Sequence, residues 1–274
     1  MRARRTAPRV RDLRLFDSCV TLGRMARAGT PEWLTPDSLL AVMDKHDIAE
    51  ALVHRVEARM TYPRRDGNRA LLEAIQGVTR LHPVWVLEPP ASHRPRAARG
   101  LVEEMLAAGV RAARLMMGVA PPLPWVWDDL CGALEAHRVP CFLDFAPTGN
   151  QWPHGSTQGN PSDWAIDQLR QLCLAHPRLP MILSHVQGGL GVTYSILPLV
   201  RWVPNLHIDI TAVMDYWRKA ATELGPERVF FATGMPFCDP AILVSNVQYA
   251  HEIDDAAKRM ICGENLRRLL EAVQ

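Results

Sequence analysis

The 274-residue sequence predicts an α/β fold, a single (β/α)8 TIM barrel. Three observations carry that expectation. Eight short apolar runs, rich in Val, Ile, Leu and Phe, are bounded by Pro, Gly or polar residues, as strands are. Amphipathic stretches with helical spacing lie between them. The composition, 48% hydrophobic and 22% charged, supplies a large core, and the length suits one barrel domain.

The strands are placed at 13–20, 51–56, 84–87, 112–116, 141–145, 181–184, 206–210 and 229–232. Strands buried on both faces of a parallel sheet should read as continuously apolar, and most of these do. Thr35-Pro36-Asp37 opens the first helix with a cap and a proline in its first turn, and Leu39, Leu40, Val42 and Met43 give it an apolar face. Further helices are placed at 68–81, 96–108, 125–137, 162–175, 194–202, 215–224 and 241–250. The last helix, 254–261, stops at Gly263, and a closing turn follows at 264–272. Strand followed by helix, eight times over, fits a closed barrel better than a doubly wound open sheet. Residues 1–12 read as a basic arm and 13–274 as the barrel. The segment 145–161, dense in Gly, Pro and Asn, follows strand five on the face where barrel active sites form, and reads as a lid or a surface insertion.

The same composition excludes several function classes. A disordered chain would be poorer in apolar residues. A formal net charge of +2 gives no field for bulk nucleic-acid binding, so no nucleic-acid partner is expected. No apolar run reaches the length of a membrane span, and the basic N-terminus has no apolar stretch behind it, so neither membrane association nor secretion is expected. The six cysteines contain no Cys-x-x-Cys pair, which argues against a structural zinc site and fits thiols in a cytoplasmic setting.

Several landmarks align with the predicted strand ends. Phe16-Asp17-Ser18-Cys19-Val20-Thr21-Leu22-Gly23 ends strand one, and Leu183-Ser184-His185 with Gly188 and Gly189 ends strand six. The run from Glu227 through Phe230-Phe231-Ala232-Thr233-Gly234-Met235-Pro236 spans strand eight, and Gly263-Glu264-Asn265-Leu266-Arg267-Arg268-Leu269-Leu270 closes the chain. Together they resemble the amidohydrolase-related (amidohydrolase 2) family of metal-dependent hydrolases and decarboxylases, over nearly the whole chain. The resemblance implies a TIM barrel of the metal-dependent hydrolase type. It also implies a metal set: His-x-His on strand one, one histidine each on strands five and six, and an aspartate on strand eight. In this sequence the matching positions hold Cys19, Thr21, Asp144, His185 and Gly234. Gly234 cannot handle the proton of a metal-bound water, as the family's aspartate does. Cys19, Asp144 and His185 form the remaining metal set, with zinc the expected ion for thiolate, carboxylate and imidazole. The alternative is no metal, with Cys19 a small buried residue and Asp144 and His185 hydrogen-bonded polar groups.

Other residues suggest acid–base or anion chemistry. Asp17 and Asp209 sit in apolar strands, where burial raises a carboxyl pKa; each is a general acid or base or a structural carboxylate. Arg114 is embedded in a strand and must find a partner. His54, Arg55, Glu57 and Arg59 are placed in the loop after strand two. If they and Arg24 face the mouth, the pocket is cationic and binds a carboxylate or phosphate; otherwise the arginines are solvated surface groups. The glycine-rich 187–191 turn lacks a P-loop lysine. No Gly-x-Ser-x-Gly elbow occurs. Cys238 is a candidate thiol or a packing residue, Asp239 a helix cap or a substitute for the missing strand-eight aspartate, and Trp125, Trp127 and Trp152 are pocket rims or packing anchors.

The favoured function is hydrolysis or decarboxylation of a small, anionic, carboxylated metabolite. Asp144, His185 and Asp209 are its candidate catalytic groups, and Arg114, His54 and Arg55 its substrate contacts. The cofactor is one divalent metal or none. The alternative is a metal-free or non-catalytic barrel that binds an anionic small molecule. A homodimer through the outer helices is the assembly considered.

Overall fold

The computed structural model describes residues 9–24, 33–60, 63–90, 94–117, 123–144, 163–184, 190–212 and 216–274. A short 3-10 turn, Val10–Leu13, buries Leu13 and leads into β1 (Leu15–Arg24). Most of the expected arm, residues 1–8, lies outside the described residues, as does the 145–161 segment with Trp152.

β1 pairs in parallel with β3 (Ile48–Arg55), and its end is crossed antiparallel by the two-residue β2 (Trp33–Leu34). β3 pairs with β4 (Leu81–Pro83), which continues past Val84 into β5 (Trp85–Leu87). From β5 the parallel order runs through β6 (Ala113–Met116), β7 (Cys141–Asp144), β8 (Met181–Ser184) and β9 (Leu206–Asp209) to β10 (Val229–Phe230). Val84 N–H donates to Val53 O at 2.8 Å and Trp85 N–H to Ala112 O at 3.2 Å, joining the two sheets along one chain segment. The chain beyond β10 returns to β1: Ser18 N–H donates to Phe231 O (3.0 Å), Gly234 N–H to Cys19 O (3.1 Å) and Thr21 N–H to Met235 O (2.8 Å). The circuit of eight strand positions is the predicted barrel, and each predicted strand overlaps an observed one.

Helices cover the outside. α1 (Pro36–Lys45) begins at the predicted cap: Thr35 Oγ1 accepts from Ser38 N–H while Ser38 Oγ accepts from Thr35 N–H. Then come α2 (Val56–Met60), α3 (Arg64–Ala74), α4 (Pro95–Ala107), α5 (Pro124–Ala136), α6 (Asp163–Ala175), α7 (Leu190–Trp202) and α8 (Trp217–Leu224). α9 (Pro240–Gln248), α10 (Asp255–Arg259), a wide turn at Met260–Glu264 and α11 (Asn265–Glu271) end the chain. No helix of the described residues is long and apolar enough to cross a membrane.

Two expectations are corrected. The helix expected at 68–81 is α3, ending at Ala74; Gly77, at φ +79°, turns the chain so that Leu81 starts a strand. The stretch after strand two is not a loop: His54 and Arg55 belong to β3, and Glu57 and Arg59 lie on α2.

The pleat sorts the strand residues. Leu115, Cys141, Leu143, Met181, Leu183 and Ile208 belong to the layer packed under the helices. Phe16, Leu52, Val84, Ala112, Phe142, Ile182 and Phe230 form a separate inner layer, plugged by Leu266 with Leu269 and Leu270 of α11. Each buried Leu or Phe side chain contributes about 1.5–3 kcal/mol. Two residues further along their strands, on the same face by strand periodicity, stand His54, Arg114, Asp144 and Ser184. The interior thus changes from apolar to polar toward the C-terminal ends of the strands.

Candidate functional site

Arg114 is the centre of that polar layer. Its side chain is fully buried, and the guanidinium carbon lies 5.8 Å from the centroid of the Phe142 ring in the layer below. Nη2 donates to Cys19 Sγ at 3.2 Å, and Nη1 faces Ser184 Oγ at 3.4 Å and Asp144 Oδ2 at 3.5 Å. The same Asp144 oxygen receives Arg59 Nη2 at 2.7 Å, with Asp144 fully buried and Arg59 only 5% exposed. Two guanidinium groups therefore converge on one carboxylate. Burial opposes the charge on Arg114, but Cys19, Asp144 and Asp209 around it hold its pKa above the usual value.

Arg59 reaches Asp144 because α2 is clamped. A Cβ on Gly67 would lie 2.3 Å from the Ala58 backbone nitrogen, so α3 approaches α2 more closely than any side chain permits. Arg64 Nη1 donates to the carbonyls of Ala58 and Arg59 at 2.8 Å each, closing the end of this short helix, and its Nε donates to Glu88 at 2.9 Å. Asn68 fixes α3 to β5 by exchanging two 2.9 Å bonds with the backbone of Val86.

The acidic residues differ in role. Asp17 Oδ1 accepts from the N–H groups of Cys19 and Thr233 at 3.0 Å each, and Oδ2 binds the Thr233 hydroxyl, so it staples β1 to the returning chain. Burial raises its pKa to about 7 against the pull of those bonds. Asp209 Oδ1 accepts from the N–H groups of Thr211 (2.9 Å) and Ala212 (3.1 Å) and from the Thr211 hydroxyl. Burial holds its pKa above the carboxylate range, opposed by its hydrogen bonds and by Arg114. Cys19 is pushed up to about 12 by burial despite the adjacent guanidinium, so it is a neutral thiol at pH 7.

The structure brings together Cys19, Arg114, Asp144 and, through Arg114, Asp209. His54 is buried, with Nε2 3.0 Å from Thr21 Oγ1. Arg55 does not join them: its fork is held by Glu57, Nε to Oε2 at 2.8 Å and Nη2 to Oε1 at 2.6 Å. His185 and the 187–189 part of the glycine-rich turn lie outside the described residues. Asp239 caps α9 through Ala241 N–H (2.9 Å). Trp127 is a core anchor and Trp125 is 73% exposed, so neither forms a matched rim. Arg59, read from sequence as a surface group unless turned to the mouth, is the residue most undervalued there; its signal was the flanking Val56 and Ala58, both buried.

A family model described as amidohydrolase matches residues 22–272. The chain belongs to the amidohydrolase family. No curated protein matches it. Among solved structures, this amidohydrolase-family chain is similar to an uncharacterized TIM-barrel protein from Bordetella bronchiseptica, at 18% identity and TM-score 0.70, covering 94% of this chain and 98% of the other. It is similar to 5-carboxyvanillate decarboxylase from Sphingomonas paucimobilis, at 16% identity and TM-score 0.71, covering 96% and 100%. A dihydroxybenzoic acid decarboxylase from Polaromonas, with bound manganese and the inhibitor 2-nitroresorcinol, matches at 17% identity and TM-score 0.66, covering 94% and 96%. At these identities the likeness fixes the fold.

A divalent metal does not fit the donor set described. Gly234 offers no side chain and adopts φ +71°, a left-handed backbone that favours glycine. Thr21 Oγ1 is engaged with His54, Asp144 with Arg59, and Cys19 Sγ with the Arg114 guanidinium. Among the described residues no group of three or more His, Cys, Asp or Glu could hold a metal ion.

Proposed function

We propose that this amidohydrolase-family protein decarboxylates or hydrolyses a small carboxylated molecule, with Arg59 and Arg114 anchoring the carboxylate. One observation carries the proposal: two buried guanidinium groups share the Asp144 carboxylate at the C-terminal ends of the barrel strands. A substrate anion would supply compensating charge and paired acceptors for these forks. Decarboxylation suits such a site better than hydrolysis. The bond to the carboxylate breaks, CO2 leaves, and the electron pair left on carbon takes a proton. Asp209, held toward its neutral form by burial, and His185 are the proposed donors; Asp144 orients the arginines. His54, buried beside Thr21, is a further proposed substrate contact, whereas Arg55 stays paired with Glu57 away from this group. No step runs through zinc.

A second reading, a barrel that binds an anionic small molecule without turnover, is favoured by the complete burial of Arg114 and Asp144. A homodimer is proposed on the exposed Trp125 and Trp202 of outer helices α5 and α7. A cytoplasmic setting is proposed on the six cysteines, none of them in a disulfide.

The test is a panel of hydroxybenzoates, aromatic dicarboxylates and lactones, scored by calorimetric binding and by CO2 or acid release. Turnover that falls at least 100-fold in Arg114→Met supports the enzyme. Binding that Arg114→Met abolishes, without turnover, supports the second reading. Neither binding nor turnover across the panel sinks both.

A further inference from the structure

We propose that Arg114 is a built-in replacement for the family's metal: its guanidinium fills the space between the candidate ligands Cys19 and Asp144, so the barrel is metal-independent by construction. The contacts are those a bound cation would make. Nη2 meets Cys19 Sγ at 3.2 Å, and Nη1 meets Ser184 Oγ at 3.4 Å and Asp144 Oδ2 at 3.5 Å. These partners come from β1, β7 and β8, the strands on which the resemblance places metal ligands. Arg114 itself comes from β6, which lies beside β7 and enters the layer from the wall.

The side chain is built in rather than parked. It is fully buried and lies above the Phe142 ring. A guanidinium stays charged at any working pH and donates in fixed directions, so it gives the site a permanent positive centre. A metal and this guanidinium cannot both occupy the contact distance to Cys19 and Asp144. Removing the guanidinium should uncover a sulfur and a carboxylate donor facing one vacancy, a ligand pair suited to a divalent transition metal.

The inference is independent of the substrate, and its readout is metal binding. Elemental mass spectrometry on protein purified without chelator, and titration with Co2+ followed by absorption, would compare wild type with Arg114→Ala and Arg114→Gln. Wild type is expected to carry less than about a tenth of a metal per chain and to show no sulfur-to-cobalt charge-transfer band. Arg114→Ala, or Arg114→Gln should the alanine variant fail to fold, is expected to show that band, to lose it in the Cys19→Ser background, and to release cobalt to millimolar methylguanidinium. Near-stoichiometric metal in wild type that disappears in Cys19→Ser would overturn the proposal. So would a well-folded Arg114 variant that stays silent with cobalt.

Discussion

Asp144→Asn isolates the charge that holds the two buried arginines. Asparagine nearly matches aspartate in shape, so no cavity forms and the change is electrostatic. In the wild type Asp144 Oδ2 lies 2.7 Å from Arg59 Nη2 and 3.5 Å from Arg114 Nη1, with both guanidiniums at most 5% exposed. At an effective dielectric near 20, each contact is a gross attraction of roughly 4–6 kcal/mol, most of which offsets desolvation. Removing one partner of a buried pair while the other stays costs about 3–5 kcal/mol. A chain of this size moves by roughly 2–4 °C per kcal/mol, so Tm should fall by about 6–20 °C at pH 7. Differential scanning calorimetry measures it. The double variant Asp144→Asn, Arg59→Met removes one uncompensated cation as well, and should be more stable than Asp144→Asn alone. A single variant within about 2 °C of wild type, or a double variant that is additively worse, would refute the claim that Asp144 compensates buried charge.

Two further variants probe the frame. Gly67→Ala should destabilise by about 1–3 kcal/mol or more, because its Cβ would lie 2.3 Å from the Ala58 backbone; binding of the carboxylate panel should weaken with it as α2 carries Arg59 away, and unchanged Tm and affinity would sink that link. Asp17 should make stability pH-dependent: its folded pKa of about 7 exceeds the roughly 4 of an aspartate in the unfolded chain, so the stabilisation present below about pH 4 is lost as pH rises through 7. Asp17→Asn keeps the acceptor for Cys19 and Thr233 N–H, so wild type should gain Tm over the variant as pH falls from 8 to 5, and a pH-independent gap would refute this.

The barrel was legible because its signal is local and repeated. Cys141–Asp144 and Met181–Ser184 are short apolar runs with clear boundaries, and Thr35 and Asp239 carry cap chemistry that works within three residues. The failures lie where local pattern is thin. α2 has five residues, too few for a helical period to show. The helix expected at 68–81 ran on because the residues after Gly77 are apolar enough to mimic a turn of helix, while Leu81 in fact pairs with Ala51 of β3. In the site, Arg114 was legible because a charged residue inside a strand demands a partner. The burial of Arg59 was not, since it depends on Gly67, Arg64 and Asn68 of the following helix holding α2 against the barrel. The pairing of Arg55 with Glu57 is local, but which arginine turned inward was decided by the end of β3.

What the site can do follows from what a guanidinium shares with a metal ion and what it does not. Both place positive charge in a low-dielectric interior, where it acts more strongly on a nearby anion than it would in water. A guanidinium is a hydrogen-bond donor only, with no open coordination position, so it cannot bind a water and lower its pKa as zinc does. Chemistry that needs charge and orientation survives the exchange of metal for arginine, whereas chemistry that needs an activated water loses its source. Gly234 points the same way, because the position that would take the water's proton has no side chain. Binding a carboxylate against Arg59 and Arg114, and delivering a proton to the carbon it leaves, uses the groups that remain.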